Sequence, residues 1–489
     1  MSTSYIHTTA SRLLRLLLMV CLGGCASFTH TTVPVSKPLA TRQLNAGSAL
    51  QALTRKPGPW PSQRWWRVFG DPQLDRLVAQ ATSGSPTLRM AQARVAQVKA
   101  LGGVARSSLF PALQADASFS RDRFTENQFI PPPYAGNWSW NNQAALGLSY
   151  DLDLWGKNRA SLAAALDYVQ VASAEEKEVQ LALETAVVRS YLGLALQYRL
   201  LEIARSTLHQ REEILAIARK RLAAGLGSEL DVKLAETPIP SSRADIERAL
   251  ESIELLRNQL SALAGKGPGD GETISPPSIK PARPIGLPAA LPADLLGRRP
   301  DVVAQRWRVE AAGKGIEVAR AAFYPNINLS AFAGWQSLGF DKFLSPGSLM
   351  AGFTPAVSLP IFEGGRLRSL LNASNAEYDI AVESYNSTLV RALQGVADQV
   401  VTLRSLAVQR TEAGLSRALA DRSYQIALQG FKAGFTEYLS VLNAQSQTFE
   451  EARRDAAAEA GCQDAYAALM EALGGGVPVT TPPGTGAGG

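Results

Sequence analysis

Twice in this chain a short alternating stretch runs without pause into a helical stretch of about 70 residues, and that junction restricts the fold more than any other feature. In LGLSYDLDLWGKNR, residues 146–159, Leu146, Leu148, Tyr150, Leu152 and Leu154 alternate with Gly147, Ser149, Asp151 and Asp153. That is a strand with one apolar and one polar face. From Gly156 the composition turns to Ala, Leu, Glu and Arg with no proline before Pro238, as a long helix requires. The junction returns where Val357, Leu359 and Ile361 alternate with Ser358 and Pro360 ahead of Gly364, Gly365 and Arg366.

The recurrence is part of a duplication. Pro86, Arg94, Val95, Ala105, Arg106 and Pro111 return 214 positions later as Pro300, Arg308, Val309, Ala319, Arg320 and Pro325. Beyond the strands the offset becomes 209, matching Leu162, Val187, Ala224, Gly225 and Val232 with Leu371, Val396, Ala433, Gly434 and Val441. Constant offsets of this kind mark an internal repeat. Each copy predicts a helix (86–107, 300–322), a strand (113–120, 326–334), a loop rich in Pro, Gly and Asn (125–142, 339–352), the returning strand, and the long helix (156–222, 365–431). In the second copy Phe332 falls on the polar side of its strand. At 1.5 Å per residue each long helix is a rod of about 100 Å. Its apolar stripe, Leu389, Leu393, Val396, Val400 and Leu403, is narrow and fits a coiled-coil seam. Turns at 223–228 and 432–437 reverse each rod into a returning helix; Pro238 and Pro240 are expected to break or kink the first of these, whereas 447–460 is uninterrupted.

Four strands cannot close a barrel, yet each has the length and single apolar face of a membrane-spanning β-strand. An open sheet edge in lipid leaves unpaired N–H and C=O groups at several kcal/mol each, so several chains must pool their strands. Two copies supply eight, three twelve, four sixteen; strand arithmetic does not choose among them.

Residues 1–24 carry Arg12 and Arg15, an apolar run and small residues, the plan of a secretory signal too short to span a membrane. LeuGlyGlyCys at 22–25 resembles the bacterial lipobox, which implies that Cys25 is lipidated; Ala26 after it implies sorting to the outer membrane. Of three cysteines this leaves Cys462 alone, so no disulfide framework exists; it reads as a buried structural thiol. The net charge of +6 falls to +4 without the two signal arginines, and no basic cluster with interleaved aromatics marks a nucleic-acid surface. No run of 18 apolar residues follows the signal. Only His30 and His209 remain after signal removal, no phosphate-binding glycine motif is present, and metal-ligand spacing is absent; catalysis and cofactor binding are not expected, and His209 reads as solvated.

With the duplication, five stretches resemble the outer-membrane efflux proteins, the TolC-like factors, in their lipoprotein branch: WWRVFGDPQL (65–74), SYDLDLWGK (149–157), LLGRRPDV (295–302), ARAAFYPNI (319–327) and LPIFEGGRLR (359–368). The resemblance implies a mixed α and transmembrane β fold: a homotrimer whose four-stranded contributions close one twelve-stranded barrel in the outer membrane, with the long coiled-coil helices forming an α-barrel in the periplasm. It implies a passive exit duct fed by an inner-membrane pump through a periplasmic adaptor. The domains are then the signal (1–24), a lipid-anchored linker (25–64), the first repeat (65–265), a linker (266–297), the second repeat (298–474) and a flexible tail (475–489). Adaptor contact and closing iris fall at the turns around Gly225 and Gly434. There the chain departs from the family: Asp231 keeps an acidic position, but Thr436 stands opposite it in place of a basic residue, and Ser440 and Asn443 replace acids. Closure would then lean on hydrogen bonds and on packing by Leu439 and Leu442; Asp231 reads equally as a simple helix cap. Trp65 and Trp66 are expected to pack against the helical base, and Trp138 and Trp140 to join an interfacial belt. A protein-secretion outlet of the same fold and a non-channel periplasmic scaffold lipoprotein are the alternatives.

Overall fold

The computed structural model describes residues 31–39, 60–280, 297–478 and 480. The signal and Cys25 lie outside them, as do residues 40–59, 281–296, 479 and 481–489. The helices are α1 (Pro72–Gly84), α2 (Pro86–Ser107), α3 (Lys157–Ala223), α4 (Glu229–Glu236), α5 (Pro238–Leu263), α6 (Pro300–Ala321), α7 (Arg366–Ala433) and α8 (Tyr438–Ala472). The strands are β1 (Ala112–Arg123), β2 (Trp138–Leu152), β3 (Asn326–Leu338) and β4 (Leu349–Ser358). The chain folds as two units whose boundaries fall within α2, α3, α6 and α7.

The first unit, residues 1–38, 96–171 and 306–384, holds one antiparallel sheet in the order β1-β2-β3-β4. Alternation decides its faces. Leu113 pairs with Leu148 and Leu148 with Ala331; Ala331 pairs with Phe353. One phase is thus apolar across all four strands, and the other carries Asp116, Ser149, Ser330 and Thr354.

Several strand boundaries differ from expectation: β1 runs on to Arg123 and β3 to Leu338, and β4 starts at Leu349, inside the stretch 339–352 expected to be loop. β2 begins at Trp138, inside the stretch expected to be loop, because Trp138 to Asn142 pair with Arg123 to Phe119. β4 spans Leu349–Ser358 and ends before Leu359 and Ile361. The apolar alternation at 357, 359 and 361 outruns the ladder, which β3 closes at the Asn326–Ser358 pair; Gly352 and Pro355 interrupt the alternation within the strand itself. At Gly334 a Cβ would lie 2.2 Å from the Ala144 carbonyl oxygen, so only glycine fits there. Phe332 is likewise explained: its cross-strand partners are Gly147 and Gly352, and its ring fills the space a side chain at Gly352 would take, 2.5 Å from where that Cβ would sit.

A strap of extended chain, residues 31–39, lies along α7. Thr32 donates its amide to Asn372 Oδ1 at 2.8 Å, and Val35 and Ser36 donate to Asp379 Oδ1 at 3.0 and 2.9 Å; Leu39 donates to Asn386 Oδ1 at 2.8 Å. Pro34 and Pro38, which have no N–H to satisfy, occupy positions between these donors.

The second unit, residues 39–95, 172–305 and 385–489, is helical. Its main core joins Trp65, Trp66, Phe69 and Leu74 to Val187, Tyr191 and Leu194 of α3, Leu260 of α5, Val396 and Val400 of α7 and Leu469 of α8. Trp65 and Trp66 therefore pack at the helical base as expected, and Leu389, Leu393, Val396 and Val400 form a buried seam. An 18-residue stretch of α3 has a mean hydropathy of 1.2 with 56% of it buried inside the chain, the composition of a core helix. Asp71 ties this core together: it caps α1 through the Gln73 amide at 2.9 Å and accepts from the Tyr191 hydroxyl at 2.6 Å and the Ser278 amide at 2.8 Å. The described part of the inter-repeat linker is thus pinned; it opens with a 3-10 turn at Pro268–Thr273, and Lys280 donates to the Phe69 carbonyl at 2.9 Å. Cys462 is half-buried rather than buried, with burial pushing its thiol up. His209 is exposed and lies 3.4 Å from Glu213.

Glu184 is buried in this unit, accepting from Gln180 Nε2 at 2.8 Å while Oε2 has no hydrogen-bond partner among the described residues. Burial pushes its carboxyl up. The protonated form therefore favours folding below the ordinary glutamate range, and that contribution is lost as pH rises through the unfolded and then the folded value. Glu184→Gln is expected to raise the unfolding temperature in detergent well above neutrality and to change it little at acid pH. Equal shifts at both pH values would show that the buried charge carries no cost.

Candidate functional site

Two places combine exposure with built geometry: the polar face of the sheet in the first unit and the helix-turn tips in the second. On the polar face, side chains bridge neighbouring positions. Gln114 Nε2 donates to Asp116 Oδ1 at 3.0 Å, Ser120 Oγ to Asp122 Oδ2 at 2.6 Å, and Asn328 Nδ2 to Asp151 Oδ1 at 2.6 Å. The charged strand residues on this face are Asp116, Asp122 and Asp151, all acids. The opposite face exposes Leu113, Leu146, Leu148, Phe353 and Val357, as a wall against lipid would. Trp138 and Trp140 lie on it, 64% and 40% exposed, inside β2 rather than beside it.

The strand-to-helix junction is also built. Gly156 turns the chain at φ +76°. Asp153 then accepts from the Asn158 and Arg159 amides at 3.0 and 2.9 Å, satisfying donors that a helix start leaves free. The Trp155 ring stacks on Tyr324 at 4.7 Å and its Nε1 donates to the Pro325 carbonyl at 2.8 Å. Next to this lies a cleft of about 700 Å³ lined by Asp151, Asp153, Pro360 and Arg366 among others.

At the tips the duplication reaches single hydrogen bonds. Gly225 and Gly434, at φ +71° and +81°, end α3 and α7 as only glycine does without strain. Leu226 donates to the Arg221 carbonyl at 2.8 Å, and Phe435 to the Gly430 carbonyl at 2.8 Å. Beyond the glycines the copies part. Ser228 and Asp231 form a capping box: Asp231 Oδ2 accepts from the Ser228 amide at 2.9 Å and its hydroxyl at 2.8 Å, and the Asp231 amide donates to Ser228 Oγ at 3.2 Å. Asp231 therefore caps α4. Its counterpart is Ser440, and α8 begins from Glu437 without a side-chain cap. Thr436 donates its hydroxyl to the Ala427 carbonyl at 3.2 Å and makes no pair with Asp231.

Sequence reasoning missed Arg221. Its Nη1 donates to the Phe431 carbonyl at 2.8 Å, Nη2 to the Leu226 carbonyl at 3.2 Å, and the guanidinium lies 4.8 Å from the Phe431 ring centroid. One side chain thereby ties both turns. The repeat does contain a signal, since the matching position is Gly430, and a Cβ there would meet Thr436 Cγ2 at 2.9 Å. Beneath lie Ile214, Leu215, Val232, Phe431, Tyr438 and Val441; burial pushes the Tyr438 hydroxyl up to about 12. Leu442 packs partly into this cluster, whereas Leu439 is 53% exposed beside Leu226 and Phe435 at 68% and 88%. Ser440 and Asn443 are exposed. Pro238 and Pro240 break the returning helix at Thr237, which keeps helical dihedrals (φ −51°, ψ −44°). Arg211 of α3 holds the break, donating to the Pro238 carbonyl at 2.8 Å and to Ser242 Oγ at 2.5 Å.

The chain matches the outer membrane efflux protein family over residues 77–266 and 291–475. It is 45% identical over 360 residues to the fusaric acid resistance protein FusA of Burkholderia cepacia, covering 73% of this chain and 67% of that one. It is 30% identical over 455 residues to the multidrug resistance outer membrane protein MdtP of Escherichia coli O157:H7, covering 90% and 92%. Among solved structures, the outer membrane protein VceC of Vibrio cholerae superposes with a TM-score of 0.80 at 33% identity, covering 85% of this chain and all of that one, 100%. The outer-membrane channel OprN gives a TM-score of 0.80 at 26% identity, covering 90% and 99%.

Removal of the cap separates its role from one across the tip. Asp231→Ala is expected to cost about 1 kcal/mol and to speed amide exchange at Ser228 and through α4, leaving α8 as in the wild type. Faster exchange confined to α8 would mean that Asp231 acts on the other turn.

Proposed function

The chain belongs to the outer membrane efflux protein family, and on that premise we propose that three copies close a twelve-stranded barrel and form a duct that a periplasmic adaptor joins to an inner-membrane pump. It is an outer-membrane component of efflux. The observation that carries the pooling of strands is the sheet itself: one face apolar, one polar, with β1 and β4 each bare along one edge among the described residues; the number three rests on the likeness to the solved channels. In lipid such edges must be paired. Twelve strands lie between the small barrels filled by side chains and the porins with an open aqueous channel, and the hydrogen-bonded polar face supplies a wall that passing solutes can wet.

The duct conducts passively, and direction comes from the pump. The apolar tip residues Leu226, Phe435 and Leu439 are the surface offered to the adaptor. Cys25, lipidated, adds an anchor whose acyl chains contribute about 0.8 kcal/mol per buried CH₂. For cargo, the likeness to FusA supports small amphiphilic organic acids, with fusaric acid the first to test.

Deleting the gene in its host is expected to lower the tolerated fusaric acid concentration, and the wild-type chain to restore it. Purified protein should need detergent, run as a trimer and raise the conductance of a planar bilayer. A water-soluble monomer without conductance would overturn the duct; conductance without a change in tolerance would overturn the cargo alone.

A further inference from the structure

On the apolar face, the end of the sheet that carries the β1–β2 and β3–β4 loops is unlike the rest of the wall. Phe119 of β1 stacks on Phe340 of the second loop with centroids 5.8 Å apart, and Phe343 and Trp140 meet this pair edge-on at 5.6 and 5.2 Å. Arg121 and Arg123 are on the same face, cross-strand partners of Trp140 and Trp138. Lys342 stands in the loop between Phe340 and Phe343. All three cations are exposed and form no ion pair among the described residues. The acids of the same loops, Glu126 and Asp341, lie back against Gly136 and Gly339, and Asp122 belongs to the polar face. Within this group Asn142, flanked by Phe119 across the strands and Trp140 along its own, is fully buried, yet neither its Oδ1 nor its Nδ2 has a hydrogen-bond partner among the described residues. A buried amide with nothing to bond is costly on a lipid-facing wall.

We propose that this end of the apolar face, formed by Arg121, Arg123 and Lys342 around the aromatic group and Asn142, is a binding site for a phosphorylated glycolipid of the outer leaflet. The loops join strands whose other ends enter the helices, so this end faces the cell exterior. Aromatic rings sit at headgroup depth, and cations just beyond them meet headgroup phosphates. An ordinary phospholipid brings the cations a phosphate but carries no amide to pair with that of Asn142. A sugar headgroup with hydroxyl and acyl-amide groups also supplies both the donor and the acceptor that the Asn142 amide lacks, at the cost of moving the Phe340 ring, 52% exposed. The site depends on outer-membrane placement and not on the cargo.

The test is titration of the purified detergent-solubilised protein with a bisphosphorylated glycolipid, its dephosphorylated form, and phosphatidylglycerol, read by native mass spectrometry and by Trp138 and Trp140 fluorescence. Tightest binding is expected for the bisphosphorylated glycolipid, with affinity falling about fivefold for each of Arg121→Gln, Arg123→Gln and Lys342→Gln. Asn142→Leu is expected to erase the preference over phosphatidylglycerol while phosphate-dependent binding persists. Asp341→Asn, which removes an acid instead of a cation, should tighten binding, so a poorly assembling cation variant does not leave the site untested. Equal affinity for both phosphate-bearing lipids in the wild type, displacement by inorganic phosphate alone, or a preference unmoved by Asn142→Leu would each overturn the proposal. Bilayer conductance of the same variants, expected to match wild type, reports separately on the duct.

Discussion

An exposed sheet edge cannot persist in hydrocarbon, because every unpaired amide and carbonyl along it lacks the water that would otherwise satisfy it. β1 and β4 present such edges on either side of a sheet whose inner pairings, β1–β2, β2–β3 and β3–β4, are complete over ten to twelve registered positions each. The remaining architecture answers that constraint. The long helices carry too narrow an apolar stripe to enclose a core alone, and the seam at Leu389, Leu393, Val396 and Val400 buries only against neighbouring helices. A polypeptide written twice, with one hairpin per copy, delivers a four-stranded sector from one chain without any strand having to cross between sheets.

Most of this was legible in periodicity. The 2-to-3.6 switch at Asp153–Gly156 located the junction, and α2 spans Pro86–Ser107 as expected, since Pro111 follows it and Pro86 opens it. The start of β2 and both ends of β4 were not, for a physical reason. A strand's limits are set by where its partner stops donating and accepting, and Gly352, Pro355 and the Asn-rich start of β2 carry no alternation of their own. Phe332 looked like an error of phase and is instead a ring lying over Gly352 of the neighbouring strand. Side-chain clamps were invisible for a related reason: Arg221, Arg211 and Asp71 act on carbonyls and hydroxyls distant in sequence, which no local pattern records.

The duplication is faithful at the backbone and loose at the side chains. Both turns close through the same left-handed glycine and the same amide-to-carbonyl bond, yet Ser228 and Asp231 are replaced by Glu437 and Ser440, and Arg221 by Gly430. The first tip is thereby capped and braced, while the second starts α8 without a side-chain cap. Conversely, the first returning helix is interrupted at Thr237 and the second is continuous over Tyr438–Ala472. Two copies of one hairpin are thus capped, clamped and interrupted in different places, so the chain carries a built-in difference between its halves without any change of fold.

The strap has a consequence of its own. Asn372, Asp379 and Asn386 are seven residues apart, a rise of about 10.5 Å along an α-helix, and the amides they accept are three or four residues apart, a distance that extended chain at up to about 3.5 Å per residue reaches. Two unlike polymers are therefore commensurate here, like a vernier against its scale. A single inserted or deleted residue inside 31–39 would throw every later rung out of step, whereas residues flanking it can vary in number without disturbing any. Evolution of leader length in such a chain is then confined to the flanks, and the ladder acts as a fixed reading frame by which the amino-terminal segment is aligned.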